Sequence, residues 1–129
     1  MLRHRPDVSA FAGVPMFDGV DAHALAPLTP YADRLAVTPG VTLAREGRHA
    51  HEVLVIVSGE VIVTRDGFTV DRLGPGAVIG ADEELAGTAH DATYVAGAGV
   101  AALVLRGSAF RWAAQSLAGF VPTPSTAAG

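Results

Sequence analysis

Gly74-Pro75-Gly76-Ala77-Val78-Ile79-Gly80-Ala81-Asp82-Glu83-Glu84-Leu85-Ala86-Gly87-Thr88-Ala89-His90-Asp91-Ala92-Thr93 is the stretch around which the rest of the chain can be read. It gives a tight turn, a short apolar strand, a glycine, one acidic helical turn, a small-residue loop and the entry to another strand. In a small β-roll, such a segment lies where a ligand sits.

Upstream, the period is that of strands. Leu35 and Val37 alternate with Arg34, Ala36 and Thr38. Pro39-Gly40 turns, Val41 and Leu43 resume an apolar face, and Arg45-Glu46-Gly47-Arg48 turns again. Val53-Leu54-Val55-Ile56-Val57 is an unrelieved apolar run and predicts a core strand. Ser58-Gly59-Glu60 leads into Val61-Ile62-Val63, and Asp66-Gly67 is a strong hairpin signal ahead of Phe68, Val70 and Leu73. Downstream, Thr93-Tyr94-Val95 and Val100 to Leu105 supply two more strands. Short strands with glycine turns between them predict a mainly β fold, an antiparallel, jelly-roll-like β-roll of about eight strands.

Apart from that acidic turn, helices are expected at the ends. Val8, Phe11, Val14, Met16 and Phe17 suggest a helical turn and an irregular segment. Asp18 or Asp21 can cap a helix of about two turns through His23, Leu25 and Leu28, kept short by Pro27 and Pro30. Ser108 is the expected N-cap of a final helix with Phe110, Ala113, Ala114, Leu117 and Phe120 on one side, which leaves Trp112 off the stripe and available to a partner. Residues 1–7 read as a loose tail, 8–120 as the folded domain, and 121–129 as a disordered tail.

Composition narrows the function. The chain has 129 residues, one domain's worth, and no cysteine, which excludes disulfides and thiolate metal sites and suits a cytoplasmic setting. Its net charge is −4, and all nine basic residues are arginines scattered along the chain, so the basic stripe of a nucleic-acid binder is missing. Neither a signal peptide nor a membrane span is predicted. No Gly-x-Ser-x-Gly, no P-loop and no lysine for a Schiff base is present, and the chain is expected to be non-enzymatic and without a cofactor.

Taken together, the helix after Phe17-Asp18-Gly19-Val20, then Thr38-Pro39-Gly40, Arg45-Glu46-Gly47, Val55-Ile56-Val57-Ser58-Gly59-Glu60-Val61 and Leu73-Gly74-Pro75-Gly76-Ala77-Val78-Ile79-Gly80 resemble the cyclic-nucleotide-binding domain family in order and spacing, from about Val14 to Phe120. The resemblance implies a β-roll whose phosphate cassette reads Phe-Gly-Glu, a short apolar helix, and a loop ending Arg-x-Ala. In that cassette helical N–H groups meet the cyclic phosphate, the glutamate takes the ribose hydroxyl and the arginine pairs with the phosphate.

The corresponding positions here are Gly80, Ala81, Asp82, His90, Asp91 and Ala92. Gly80 and Ala92 match. Ala81 replaces the glutamate, Asp82, Glu83 and Glu84 replace the apolar helix, and His90 replaces the arginine. The three carboxylates suit the helix start, at about 0.3–1 kcal/mol each. They oppose a phosphate by roughly 4 kcal/mol per pair at about 4 Å, and the missing arginine costs about another 1.5–3 kcal/mol. After discounting, that is on the order of a hundredfold in affinity. Ordinary cyclic nucleotide binding would require the acidic side chains to face solvent and His90 to be protonated.

Three readings follow. One is a regulatory or accessory subunit that contacts another protein, or a second copy of itself, through Asp82, Glu83, Glu84 and Trp112. In relatives that regulate transcription the last helix is longer and leads to a DNA-binding domain, and no such output domain is expected here. The second is a sensor that binds a cyclic nucleotide weakly, or a different small ligand. The third is a cupin-like metalloprotein using His49, His51 and Glu52, disfavoured because the remaining cupin ligand positions hold Val55 or Ile56 and Ala77 to Gly80.

Overall fold

The apolar run at Val53–Val57 lies in the interior of the larger of two antiparallel sheets in the computed structural model, which describes residues 2–122. In chain order the strands are β1 (Leu2–His4), β2 (Ala32–Val37), β3 (Thr42–Ala44), β4 (Glu52–Ser58), β5 (Val61–Arg65), β6 (Phe68–Leu73), β7 (Val78–Ile79), β8 (Thr93–Ala96) and β9 (Val100–Arg106). One sheet has the order β1-β2-β9-β4-β7 and the other β3-β8-β5-β6. The helices are α1 (Ala22–Leu25), α2 (Ala81–Ala86) and α3 (Gly107–Ser116), with 3₁₀ turns at Val8–Phe11, Pro15–Phe17 and Ala26–Tyr31. The expected β-roll with helices at its ends is the observed fold.

The lack of polar relief in β4 has a direct cause. Successive side chains of a strand point to opposite faces, and both faces of this one are covered from Val53 to Ile56, with Val57 beyond them 43% exposed. Leu54 and Ile56 point into the roll, where they join Val61, Val63, Leu73 and Tyr94 of the opposite sheet. Val53 and Val55 point outward into a second cluster with Leu103, Leu105, Phe11, Phe17, Phe110 and Phe120. Burial of each such side chain contributes roughly 1.5–3 kcal/mol. At the β5–β6 turn, Asp66 (φ 52°) and Gly67 (φ 84°) both adopt the left-handed conformation that a two-residue hairpin requires.

Three expectations need correction. Residues 1–7 are not simply a loose tail, since Leu2–His4 pair with Arg34–Ala36 of β2 and the Arg3 guanidinium lies 2.9 Å from Asp33. The open edge of β2 offers unpaired backbone groups, and the N-terminus fills them. The last helix starts at Gly107 rather than after Ser108, with Arg106 as its N-cap and no side-chain cap. It ends at Ser116, so Phe120 lies beyond it and turns back to pack on Phe17 and Phe110, at ring-centroid distances of 5.3 and 5.8 Å. Of the tail expected over 121–129, residues from 123 onward lie outside the described ones.

The N-terminal helix follows its sequence signal closely. The Asp21 carboxylate accepts the His23 N–H at 2.8 Å, and α1 passes directly into the proline-containing 3₁₀ turn Ala26–Tyr31. The result is a platform under α3, with the cassette segment held between β7 and β8.

Candidate ligand site

Gly80 turns the chain from β7 into α2. Its φ is 91°, and a Cβ there would stand 2.7 Å from the Glu52 carbonyl oxygen, so only glycine fits. Ala81 opens the helix and is buried, while Asp82 is exposed and Glu83 partly so. Gly87 (φ 70°) closes the helix in the left-handed conformation.

Glu84 differs from its neighbours. It was expected on an exposed acidic surface, but it is only 6% exposed and its carboxylate pairs with Arg111 of α3. Oε1 makes that pair, and Oε2 is buried without a hydrogen-bond partner. A six-residue helix spreads three consecutive acids over about 200° around its axis, and here the third faces the protein. The carboxyl lies against Gly107, the first residue of α3, where any Cβ would collide with it. The positive end of the α3 dipole and the guanidinium together offset the burial of the charge.

Beyond α2 the loop runs back to β8. His90 is buried at 8% exposure, and its backbone is clamped to the β3–β4 loop: the Gly47 N–H donates to the His90 carbonyl and the His90 N–H to the Arg48 carbonyl, both at 2.9 Å. The imidazole packs edge-on against Tyr94, with centroids 6.1 Å apart. Burial holds its pKa below the ordinary histidine value of 6.5; Glu83 and Asp91 push it up, and His51 pushes it further down. The Tyr94 phenol is raised to about 12, chiefly by burial, and stays neutral. Asp91 is tied to β5, its carboxylate 3.5 Å from the Arg65 guanidinium and its carbonyl accepting from Arg65 Nε at 3.0 Å. Ala92 is fully buried in the roll.

Two cavities matter. One, of about 180 Å³, is lined by Arg45, Arg48, His49, His51, Glu52 and His90 over an apolar floor of Ala44 and Leu54. The other, of about 320 Å³, is an apolar groove between α3 and the N-terminal platform, with Tyr31 and Trp112 on its walls at 48% and 43% exposure. The cassette positions therefore do surround one loop, but His90 alone among them lines the first cavity. His49 and His51 line that cavity too. Among the described residues no group of three or more His, Asp or Glu is placed to hold a metal ion.

Sequence reasoning missed the Glu84–Arg111 pair and the convergence of Arg45 and Arg48 on His90. The second had a signal, four basic side chains within Arg45-Glu46-Gly47-Arg48-His49-Ala50-His51. The first had none, because 27 positions separate the partners.

The family model for the cyclic nucleotide-binding domain matches residues 34–116. The chain belongs to that family. No curated protein matches the chain by sequence. Among solved structures, this cyclic nucleotide-binding domain is similar to the sensor domain of the transcriptional regulator DNR from Pseudomonas aeruginosa, at 17% identity over 91% of this chain and 84% of that one, with a TM-score of 0.73. It is similar to a regulatory subunit of a cAMP-independent protein kinase A from Trypanosoma brucei, at 21% identity over 84% of this chain and 41% of that one, TM-score 0.69. It is also similar to a cAMP-binding acyltransferase from Mycobacterium smegmatis, at 31% identity over 81% of this chain and 34% of that one, TM-score 0.68. The chain thus spans less than half the length of the last two. Among the described residues no helix is long and apolar enough to cross a membrane.

Proposed function

We propose that this domain serves as a cytoplasmic, non-enzymatic regulatory or accessory unit that makes protein contacts and has lost ordinary cyclic nucleotide binding. The observation that carries the reading is the pairing of a buried Ala81, which offers no acceptor to a ribose hydroxyl, with His90, a desolvated imidazole at the arginine position whose lowered pKa favours the neutral form at pH 7. Asp82 and Glu83 at the start of α2 add negative charge where the phosphate would lie. Protein contact falls to Trp112, with Tyr31 beside it, and to Asp82 and Glu83. Glu84 leaves that set because its carboxylate is engaged inside the domain. The kinase regulatory subunit among the similar structures is itself described as cAMP-independent, which is compatible with keeping this fold without that ligand.

A cyclic nucleotide sensor is the second reading, favoured by the 31% identity to an acyltransferase described as cAMP-binding. Calorimetric titration of the nucleotide-free protein with cyclic AMP and cyclic GMP separates the two. No heat at millimolar ligand is expected. Binding at micromolar or tighter, about −8 kcal/mol, makes the domain a sensor. Restoring Ala81→Glu with His90→Arg is expected to bring binding back if the roll still has room for the nucleotide.

A further inference from the structure

The apolar groove between α3 and the N-terminal platform lies away from the cassette. Leu28 and Ala109 are buried at its base, and Pro27, Tyr31 and Trp112 stand exposed around it. We propose that this groove is filled in cis by the chain's own segment Thr123-Pro124-Ser125-Thr126-Ala127-Ala128-Gly129, which covers Trp112.

The first argument is the chemistry of the groove. Tyr31 and Trp112 belong to neither of the two core clusters, so their rings do not serve the packing of the domain. Two large rings flanking a cavity of about 320 Å³ make an apolar surface that gains from being covered. Not one charged residue lines it. A charged segment laid there would lose hydration without gaining a partner, so the groove selects an uncharged occupant.

The second argument is the match in composition. In a chain with nine basic and thirteen acidic residues, the stretch from Val121 to Gly129 has no charge at all. Pro122 and Pro124, one residue apart, hold φ near −65° and favour an extended, left-handed course with little entropy left to lose. Grooves walled by aromatic rings recurrently take such proline-containing segments. The segment has no apolar period with which to build a core of its own, and the groove supplies an apolar surface.

Reach is the third. Phe120 packs on Phe17, and the Val121 N–H donates to the Met16 carbonyl at 3.3 Å, so the chain is handed on at the N-terminal platform, which also carries Pro27, Leu28 and Tyr31. Trp112 lies four residues and Ser108 eight residues before the end of α3, about 6 and 12 Å back along its axis. Seven further residues span up to about 24 Å. A short tether also holds the segment at an effective concentration on the order of 1 mM, so even a weak contact is populated.

One consequence rests on the reading given above. If Trp112 and Tyr31 are the side chains that meet a protein partner, that partner has to displace the segment first. Occupancy of the groove does not depend on this, and the experiment reads occupancy alone.

The chain has no cysteine and one tryptophan, which makes the test direct. Ala128→Cys provides a single attachment point for a nitroxide on the otherwise intact chain, and the Trp112 indole N–H gives a single NMR signal. Broadening of that indole and of the Leu28, Tyr31 and Ser108 amides is expected, with the β5–β6 turn at Asp66 and Gly67 unaffected. It should be the same at low and high salt, because neither surface carries charge. Pro124→Gly should lose most of the broadening. The Leu28 and Ser108 signals should lose it in Trp112→Ala and in Tyr31→Ala, each checked for an unchanged fold by its melting temperature. Broadening that is absent from the groove, or spread evenly over the surface, would overturn the proposal. So would full broadening in both aromatic variants. Groove broadening in isotope-labelled protein mixed with nitroxide-labelled protein would assign the groove to a second copy instead.

Discussion

On its two sides His90 meets opposite chemistry. Towards α2 it feels Glu83 and its own neighbour Asp91, and towards the β3–β4 loop it shares a cavity with Arg45, Arg48 and His51. In the family to which the chain belongs, the resemblance places the anion at the start of the short helix. Here that helix start is acidic, and Arg45 and Arg48 stand on the adjacent loop. The left-handed Gly80 turns the chain into that helix, and the charges around it are those of Asp82, Glu83 and Glu84. Fold alone does not fix ligand chemistry, so the side chains of this one loop decide what the domain can hold.

The strongest test of the acidic side is its buried member. Arg111→Ala leaves the Glu84 carboxylate inside the protein with only the end of α3 to stabilise it. Breaking a buried pair costs about 3–5 kcal/mol; because the Arg111 side chain is 48% exposed, the low end, about 3 kcal/mol, is expected. In a domain of this size that lowers the melting temperature by roughly 10 °C. Glu84→Leu, which removes the charge and fills the same space, is expected to stay within about 1 kcal/mol of the wild type. Equal melting temperatures for Arg111→Ala and wild type would mean that the carboxylate is satisfied in some other way, and that α2 and α3 are not joined by charge.

His90 itself gives the next effect. Its folded pKa lies below the unfolded value near 6.5, so the unfolded chain binds the proton more readily. The stability from the neutral imidazole is fully present above pH 6.5 and is lost as pH falls through the folded pKa. Urea denaturation between pH 7.5 and 5 should show the wild type losing stability on acidification, and His90→Asn losing less. Parallel curves for the two proteins would place His90 in a more solvated setting than its burial indicates.

Much of this was legible beforehand, for identifiable reasons. Strands announce themselves through local pattern, and the run Val53–Val57 together with Asp66-Gly67 and Pro75-Gly76 was enough to predict the β-roll. The positions compared with the family's cassette are likewise found by counting from Gly80. What stayed hidden depends on which way a side chain points. Asp82, Glu83 and Glu84 look alike in sequence, yet the helix turns the third inward to Arg111. The arginines of the β3–β4 loop read as a polar turn until the strands carry them to His90. The pairing of Leu2–His4 with β2 was invisible because an edge strand three residues long has no period to detect.

The finest comparison is between the acids of α2 themselves. Glu83 is a partly exposed residue whose charge raises the His90 pKa, against the larger effect of burial. Glu83→Gln should leave global stability within about 0.5 kcal/mol of the wild type, as surface substitutions usually do. In an NMR pH titration, however, it should move the His90 pKa further down, because a charge that favoured the imidazolium is gone. The direction matters more than the size. A downward move shows that the charge of α2 reaches the imidazole at the far end of the loop, so a change on that helix is felt at His90. An unmoved pKa would make the acidic helix and the imidazole electrically independent, and burial alone would then set the charge of His90.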